Sequence, residues 1–86
     1  GGFTDFVRTI RGVEVALMIF DSGHDTCRIN YRSKGKYIIN GIAKTLGGGG
    51  HPLAAGAVLE GSIETVLPKV LNETKQSLQE QKYQSK

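Results

Sequence analysis

The spacing of apolar residues changes along the chain, and each change marks an element. From Val13 to Phe20 (VEVALMIF) apolar residues first alternate and then run unbroken, which predicts a strand buried on both faces and central in a sheet. Asp21 to Asp25 (DSGHD) is turn chemistry throughout, so the next run, Thr26 to Arg32, is expected to return as the antiparallel partner of a hairpin. Alternation within that run puts Cys27, Ile29 and Tyr31 on one face and Arg28, Asn30 and Arg32 on the other. One face builds core, and the other offers hydrogen-bond donors.

Ser33 to Lys36 (SKGK) reads as a turn, and Tyr37 to Ile39 leads to Asn40, an N-cap for a short helix over Gly41 to Leu46 with Ile42, Ala43 and Leu46 buried. Four glycines follow. Pro52 suits the first position of a second short helix, and Ala54 to Glu60 reads as a turn of helix passing into a third strand. Gly61 and Ser62 open a terminal helix whose first turn carries Glu64. Ile63, Val66, Leu67, Val70, Leu71, Thr74 and Leu78 share one face of that helix, with Pro68 off the face at a kink or a restart. The fold class expected is α/β: a single small domain with a mixed β-sheet, an antiparallel first hairpin packed against helices, a glycine-rich loop between short helices, and a C-terminal amphipathic helix. Residues 1–11 (GGFTDFVRTIR) read as the tail of a preceding segment, 12–80 as the domain, and 81–86 as a frayed polar end.

A chain of 86 residues with 38% apolar and 22% charged positions has material for one core. No apolar run approaches the roughly 20 residues that cross a bilayer, and no signal segment opens the chain. The single cysteine, Cys27, has no internal disulfide partner, and a cytoplasmic location is expected. The net charge of +3 is mild, but Arg28, Arg32, Lys34, Lys36 and Lys44 crowd the stretch before the glycines, which favours an anionic partner. Asp21, His24 and Asp25 fit a turn better than a metal site.

The chemistry concentrates in LGGGGHPLAAG, Leu46 to Gly56. Glycines let several backbone N–H groups face one concavity, an arrangement that suits a phosphate. His51 follows as a donor to phosphate or to a base edge, while Arg32 brings a planar fork and Ser33 a hydroxyl. Neither common nucleotide loop is present: G-x-x-x-x-G-K-[ST] lacks its lysine, and G-x-G-x-x-G fails at Leu53.

The GGGHxxAAG signature at Gly48 to Gly56, the RS pair at Arg32 and Ser33, the GVEVA strand at Gly12 to Ala16 and the GIAKTLGG helix together resemble the DHH-associated C-terminal domain of DHH phosphoesterases, in the nano-RNase (oligoribonuclease) and phosphoadenosine-phosphate phosphatase branch. The resemblance implies a substrate-binding domain that faces an N-terminal DHH domain holding a manganese pair. It also implies that Arg32, Gly48, Gly49, Gly50 and His51 stand at the family's substrate-contact positions, with Ser33 beside them. The substrate implied is short single-stranded RNA or a nucleoside bisphosphate. The chain has no DHH motif, so hydrolysis by this portion alone is not expected. The competing readings are a cyclic- or linear-dinucleotide phosphodiesterase domain and a noncatalytic RNA-binding module, the latter calling for a broader basic surface.

Overall fold

A computed structural model describes residues 5–10 and 14–84 of the chain, with side chains described from residue 14 to 81. The elements are β1 (Asp5–Ile10), β2 (Val15–Gly23), β3 (Thr26–Ser33), α1 (Asn40–Thr45), β4 (Gly49–His51), β5 (Ala54–Glu60) and α2 (Ile63–Gln84). The start of the expected GVEVA strand, up to Val13, lies outside the described residues, as do residues 1–4, 11, 85 and 86. β1 falls in the stretch assigned from sequence to a preceding segment, and it pairs antiparallel with β2 along its whole length.

The five strands take the order β1-β2-β3-β5-β4, and every pair is antiparallel. This corrects the expectation of a mixed sheet. A parallel pair needs a crossover of a dozen or more residues. Here α1 does carry the chain from β3 to β4, which run in the same direction. However, the two-residue Pro52-Leu53 connection then folds β5 back between them, so neither neighbour pair is parallel. β3, not β2, is the central strand.

β2 is also not buried on both faces. Val15, Leu17 and Ile19 are buried, whereas Ala16, Met18 and Phe20 are half-buried on the opposite face. The β2–β3 hairpin forms as expected. His24 and Asp25 both adopt positive φ, 52° and 59°, the pair of left-handed residues that a type I′ turn requires to match strand twist. Asp21 accepts the Gly23 N–H at 2.9 Å, and Thr26 Oγ1 donates to the Gly23 carbonyl at 2.8 Å, which fixes the turn's shoulders.

The core lies between one face of the sheet and the two helices. Val15, Leu17 and Ile19 of β2 and Cys27, Ile29 and Tyr31 of β3 lie under α2, with its buried Val66, Val70, Thr74 and Leu78, while Ala55, Ala57 and Leu59 of β5 lie under α1, with its buried Ile42 and Ala43; Ile63, Leu67 and Leu71 are partly buried against this core. The expected helical stripe is therefore the one buried, each full-sized aliphatic contributing about 1.5–3 kcal/mol. The Ser62 hydroxyl accepts the Thr65 N–H at 3.3 Å and caps α2. The helix runs continuously through the exposed Pro68 and on through residues 81–84, part of the end expected to fray.

One polar pair sits inside the core. Thr74 Oγ1 donates to the Val70 carbonyl at 2.6 Å, so its proton is committed and the Tyr31 hydroxyl must donate to Thr74 Oγ1. Burial pushes the Tyr31 phenol up to about 12.

Candidate phosphate-binding face

The four glycines do different jobs. Gly47, at φ 95°, ends α1 as its left-handed cap: its N–H bonds to the Lys44 carbonyl at 3.0 Å, and the Gly48 N–H reaches the Ala43 carbonyl at 2.8 Å, together a Schellman closure. A Cβ on Gly48 would lie 2.1 Å from the Gly56 carbonyl oxygen and 2.6 Å from Ala57 Cα, so β5 permits no side chain there. Gly50 combines φ 139° with a Cβ position 2.9 Å from Ala55 Cα. Gly49 alone has an ordinary φ and open space where its Cβ would be. Packing and backbone conformation therefore account for Gly47, Gly48 and Gly50, and leave Gly49 without a structural requirement.

No second short helix follows. Gly49 and Gly50 belong to strand β4, Pro52 and Leu53 form the loop of a β4–β5 hairpin, and residues 54–60 are strand throughout. The expected loop between helices is thus a link from a helix to a hairpin. The reason is tertiary: the Leu53 carbonyl accepts the Ser33 N–H and the Pro52 carbonyl accepts the Ile39 N–H, both at 2.9 Å, so the turn is pinned to the end of β3 and to the start of α1. Proline's fixed φ serves the first loop position of a turn as well as a helix start. The same pinning displaces the expected Asn40 cap. Ile39, fully buried, occupies the cap position of α1 with no side-chain cap bond, and the Asn40 amide reaches instead toward the Gly50 carbonyl at 3.5 Å.

Among the described residues no helix covers the other face of the sheet, and three rows cross it. Arg32 pairs with Ala54, which pairs with His51. Asn30 pairs with Gly56, which pairs with Gly49. Arg28 pairs with Val58. Paired residues in a sheet project to the same side, so Arg32 and His51 stand about 10 Å apart, two strand spacings, with only the methyl of Ala54 between them. Asn30 Oδ1 would touch a Cβ on Gly56 at 2.7 Å, so the asparagine lies directly over that glycine. The result is a trough along β5, walled by Arg28, Asn30 and Arg32 on one side and by the glycine strand on the other. Its first hollow, about 420 Å³, is lined by Met18, Arg28, Asn30, Arg32, Gly49 and Gly56, within the size range of small-molecule sites.

Among the residues expected to bind, Arg32, Gly49 and His51 therefore meet on one face. His51 is exposed at the rim. Its Nδ1 accepts the Leu53 N–H at 3.3 Å, which leaves Nε2 as the ring nitrogen free to donate. Gly48 and Gly50 build the wall. Ser33 is not brought to the trough. It pairs with Val15 on the core face, accepts the Gly35 N–H at 3.1 Å and donates to the Tyr37 carbonyl, holding the turn after β3. Arg28 and Asn30 line the trough but were not among the candidates, although alternation along β3 had put them on Arg32's face.

Two titrations displaced by burial belong to the core face: Tyr31, and Cys27, whose thiol is pushed up first by burial and then by Asp21 and Asp25, and donates to the Gly61 carbonyl at 3.3 Å. Among the described residues no three His, Cys, Asp or Glu side chains come together. The polar side chains around the first hollow are those of Arg28, Asn30 and Arg32, with His51 in the row at its rim. That donor set suits an anion and does not fit a metal ion. Among the described residues no helix is long and apolar enough to cross a membrane.

A family model for the DHHA1 domain matches residues 1–80. Over 77 residues, 86% of this chain, the sequence is 36% identical to the bifunctional oligoribonuclease and PAP phosphatase NrnA of Thermus thermophilus, of which those residues make up 24%. Over 42 residues, 49% of this chain, it is 50% identical to the protein of the same description from Bacillus subtilis, of which the match covers 13%. The chain thus spans about a quarter or less of the length of these relatives. With the family model covering nearly all of the described fold, the chain belongs to the DHHA1 domain family.

Proposed function

We propose that the trough along β5 binds the terminal phosphate and nucleotide of short single-stranded oligoribonucleotides, or of a nucleoside bisphosphate such as phosphoadenosine phosphate. The chain would then be the substrate-holding part of a phosphoesterase. The observation that carries this reading is the row of Arg32, Ala54 and His51 beside the side-chain-free row of Gly56 and Gly49. Arg32 supplies a charged fork to phosphate oxygens, and His51 supplies a single N–H from the facing strand. Between them Gly49 lets a ligand approach the backbone itself, as the absence of any contact at its Cβ position would permit. The work of this domain is orientation and charge neutralisation, which holds a phosphoester where attack can occur.

Manganese, which the family resemblance implies for the whole enzyme, finds no donor set among the described residues. In this reading it belongs to a DHH domain outside this chain, and a metal pair there would activate water and stabilise the charge of the displaced oxygens. The chain by itself is accordingly proposed to bind without hydrolysing, and a cytoplasmic location goes with this reading.

Calorimetric titration of the chain with phosphoadenosine phosphate tests the assignment. Saturable binding is expected, weakened roughly tenfold or more by Arg32→Ala. His51→Gln, which retains an N–H at similar reach, should bind better than His51→Ala. Equal affinities for the wild type, Arg32→Ala and His51→Ala would refute the assignment.

A further inference from the structure

The trough does not end at the Arg32 row. A second hollow of about 480 Å³ continues it along β5, lined by Arg28, Asn30, Gly47, Gly48, Gly56 and Val58, and it shares Arg28, Asn30 and Gly56 with the first. Its far end is the row of Phe20, Arg28 and Val58. Val58 is 62% exposed, one of two large hydrophobic side chains so placed among the described residues, and packing among those residues gives it no role. Phe20, beside Arg28 on the same face, is half-buried. A cation between two apolar side chains suits a nucleotide unit, whose base has an apolar face and whose phosphate is an anion.

Arg28 and Arg32 are four residues apart on one strand face, hence ~13 Å apart. Consecutive nucleotides advance about 3.4 Å along a stacked strand and further along an extended one, so arginines ~13 Å apart on the strand suit phosphates of different nucleotides in one short, extended strand. Resting on the reading of the first hollow as the terminal-nucleotide site, we infer that Arg28, Val58 and Phe20 form a second subsite. It takes the next nucleotide units of an oligonucleotide and makes the domain prefer short strands to single nucleotides.

Calorimetry on the full chain with two probes, phosphoadenosine phosphate and 5′-phosphorylated triadenosine RNA, tests this. The wild type should bind the trinucleotide more tightly than the bisphosphate. Arg28→Ala should remove roughly tenfold of the trinucleotide affinity, weaken the bisphosphate by a smaller factor because Arg28 also borders the first hollow, and lower the salt slope for the trinucleotide by about 0.7, the value of one phosphate contact on a single strand. Val58→Glu, an exposed change that leaves the core untouched, should act in the same direction by repelling the strand. If Arg28→Ala weakens both probes alike or neither, or if the wild type binds the two equally, the second subsite is overturned while the terminal site stands. If the wild type binds neither probe, the terminal site fails and the second subsite fails with it.

Discussion

Gly49 and Gly48 are adjacent and identical in sequence, yet they answer to different constraints. Gly48→Ala drives a methyl into the β5 backbone and is expected to destabilise the domain by about 2–4 kcal/mol. Gly49→Ala meets nothing within 4 Å and has no positive φ, so its stability should stay within about 1 kcal/mol of the wild type while nucleotide binding falls. Urea denaturation of both variants, with titration of the second, separates a fold glycine from a ligand glycine. The run of four was legible as an exception to ordinary packing, but the division of labour within it was not, because it depends on contacts with residues 54–57. Ser33 shows the opposite case. It was grouped with Arg32 by adjacency, although strand alternation already sends neighbours to opposite faces.

Tyr31 adds a residue-scale prediction with a definite sign. Its pKa of about 12 in the fold lies above the roughly 10 of an exposed tyrosine, so between these values the unfolded chain has lost a proton that the folded chain keeps. The stability this provides is complete below pH 10 and is lost as pH rises toward 12, by about 2–3 kcal/mol. Denaturation midpoints measured from pH 9 to 12 should fall in the wild type and fall less in Tyr31→Phe. A flat wild-type profile would contradict the buried Tyr31–Thr74 pair.

Among the elements, β3 and α2 were readable because each has one closed and one open face, and such a surface imposes period two or 3.6 on the sequence. β4 was not readable. Three residues, two of them glycine, carry no period, and the strand exists because β5 pairs with it. The end of α2 was read as loose because it is polar, yet Gln81 works there. Its Oε1 accepts the Ile38 N–H at 2.8 Å, and its Nε2 donates to the Ile38 carbonyl at 2.7 Å, across 43 positions of sequence. Ile39, the next residue, holds the Pro52 carbonyl, so Gln81 braces the segment that positions the His51 hairpin. Gln81→Ala should cost about 1–2 kcal/mol and speed exchange of the Ile38 amide. Unchanged protection at Ile38 would show that the brace contributes nothing.

For the whole molecule, the sheet separates two tasks. One face and both helices make the core; the other face, which no helix among the described residues covers, carries Arg28, Asn30, Arg32 and His51. Sequence pattern predicted the two faces of β3 but not which strands would border them, since the order β3-β5-β4 arises from the pinned Pro52-Leu53 turn. As the chain spans about a quarter or less of its relatives' length, the open face is proposed to meet its substrate together with a metal-holding partner domain. The most direct test is an amide NMR titration of the chain with 5′-phosphorylated diadenosine RNA. The account predicts saturable shifts at Arg32, Gly49 to His51 and Ala54 to Gly56, with the α2 amides unmoved. Shifts centred on α2, or none along β4 and β5 at saturating ligand, would contradict it.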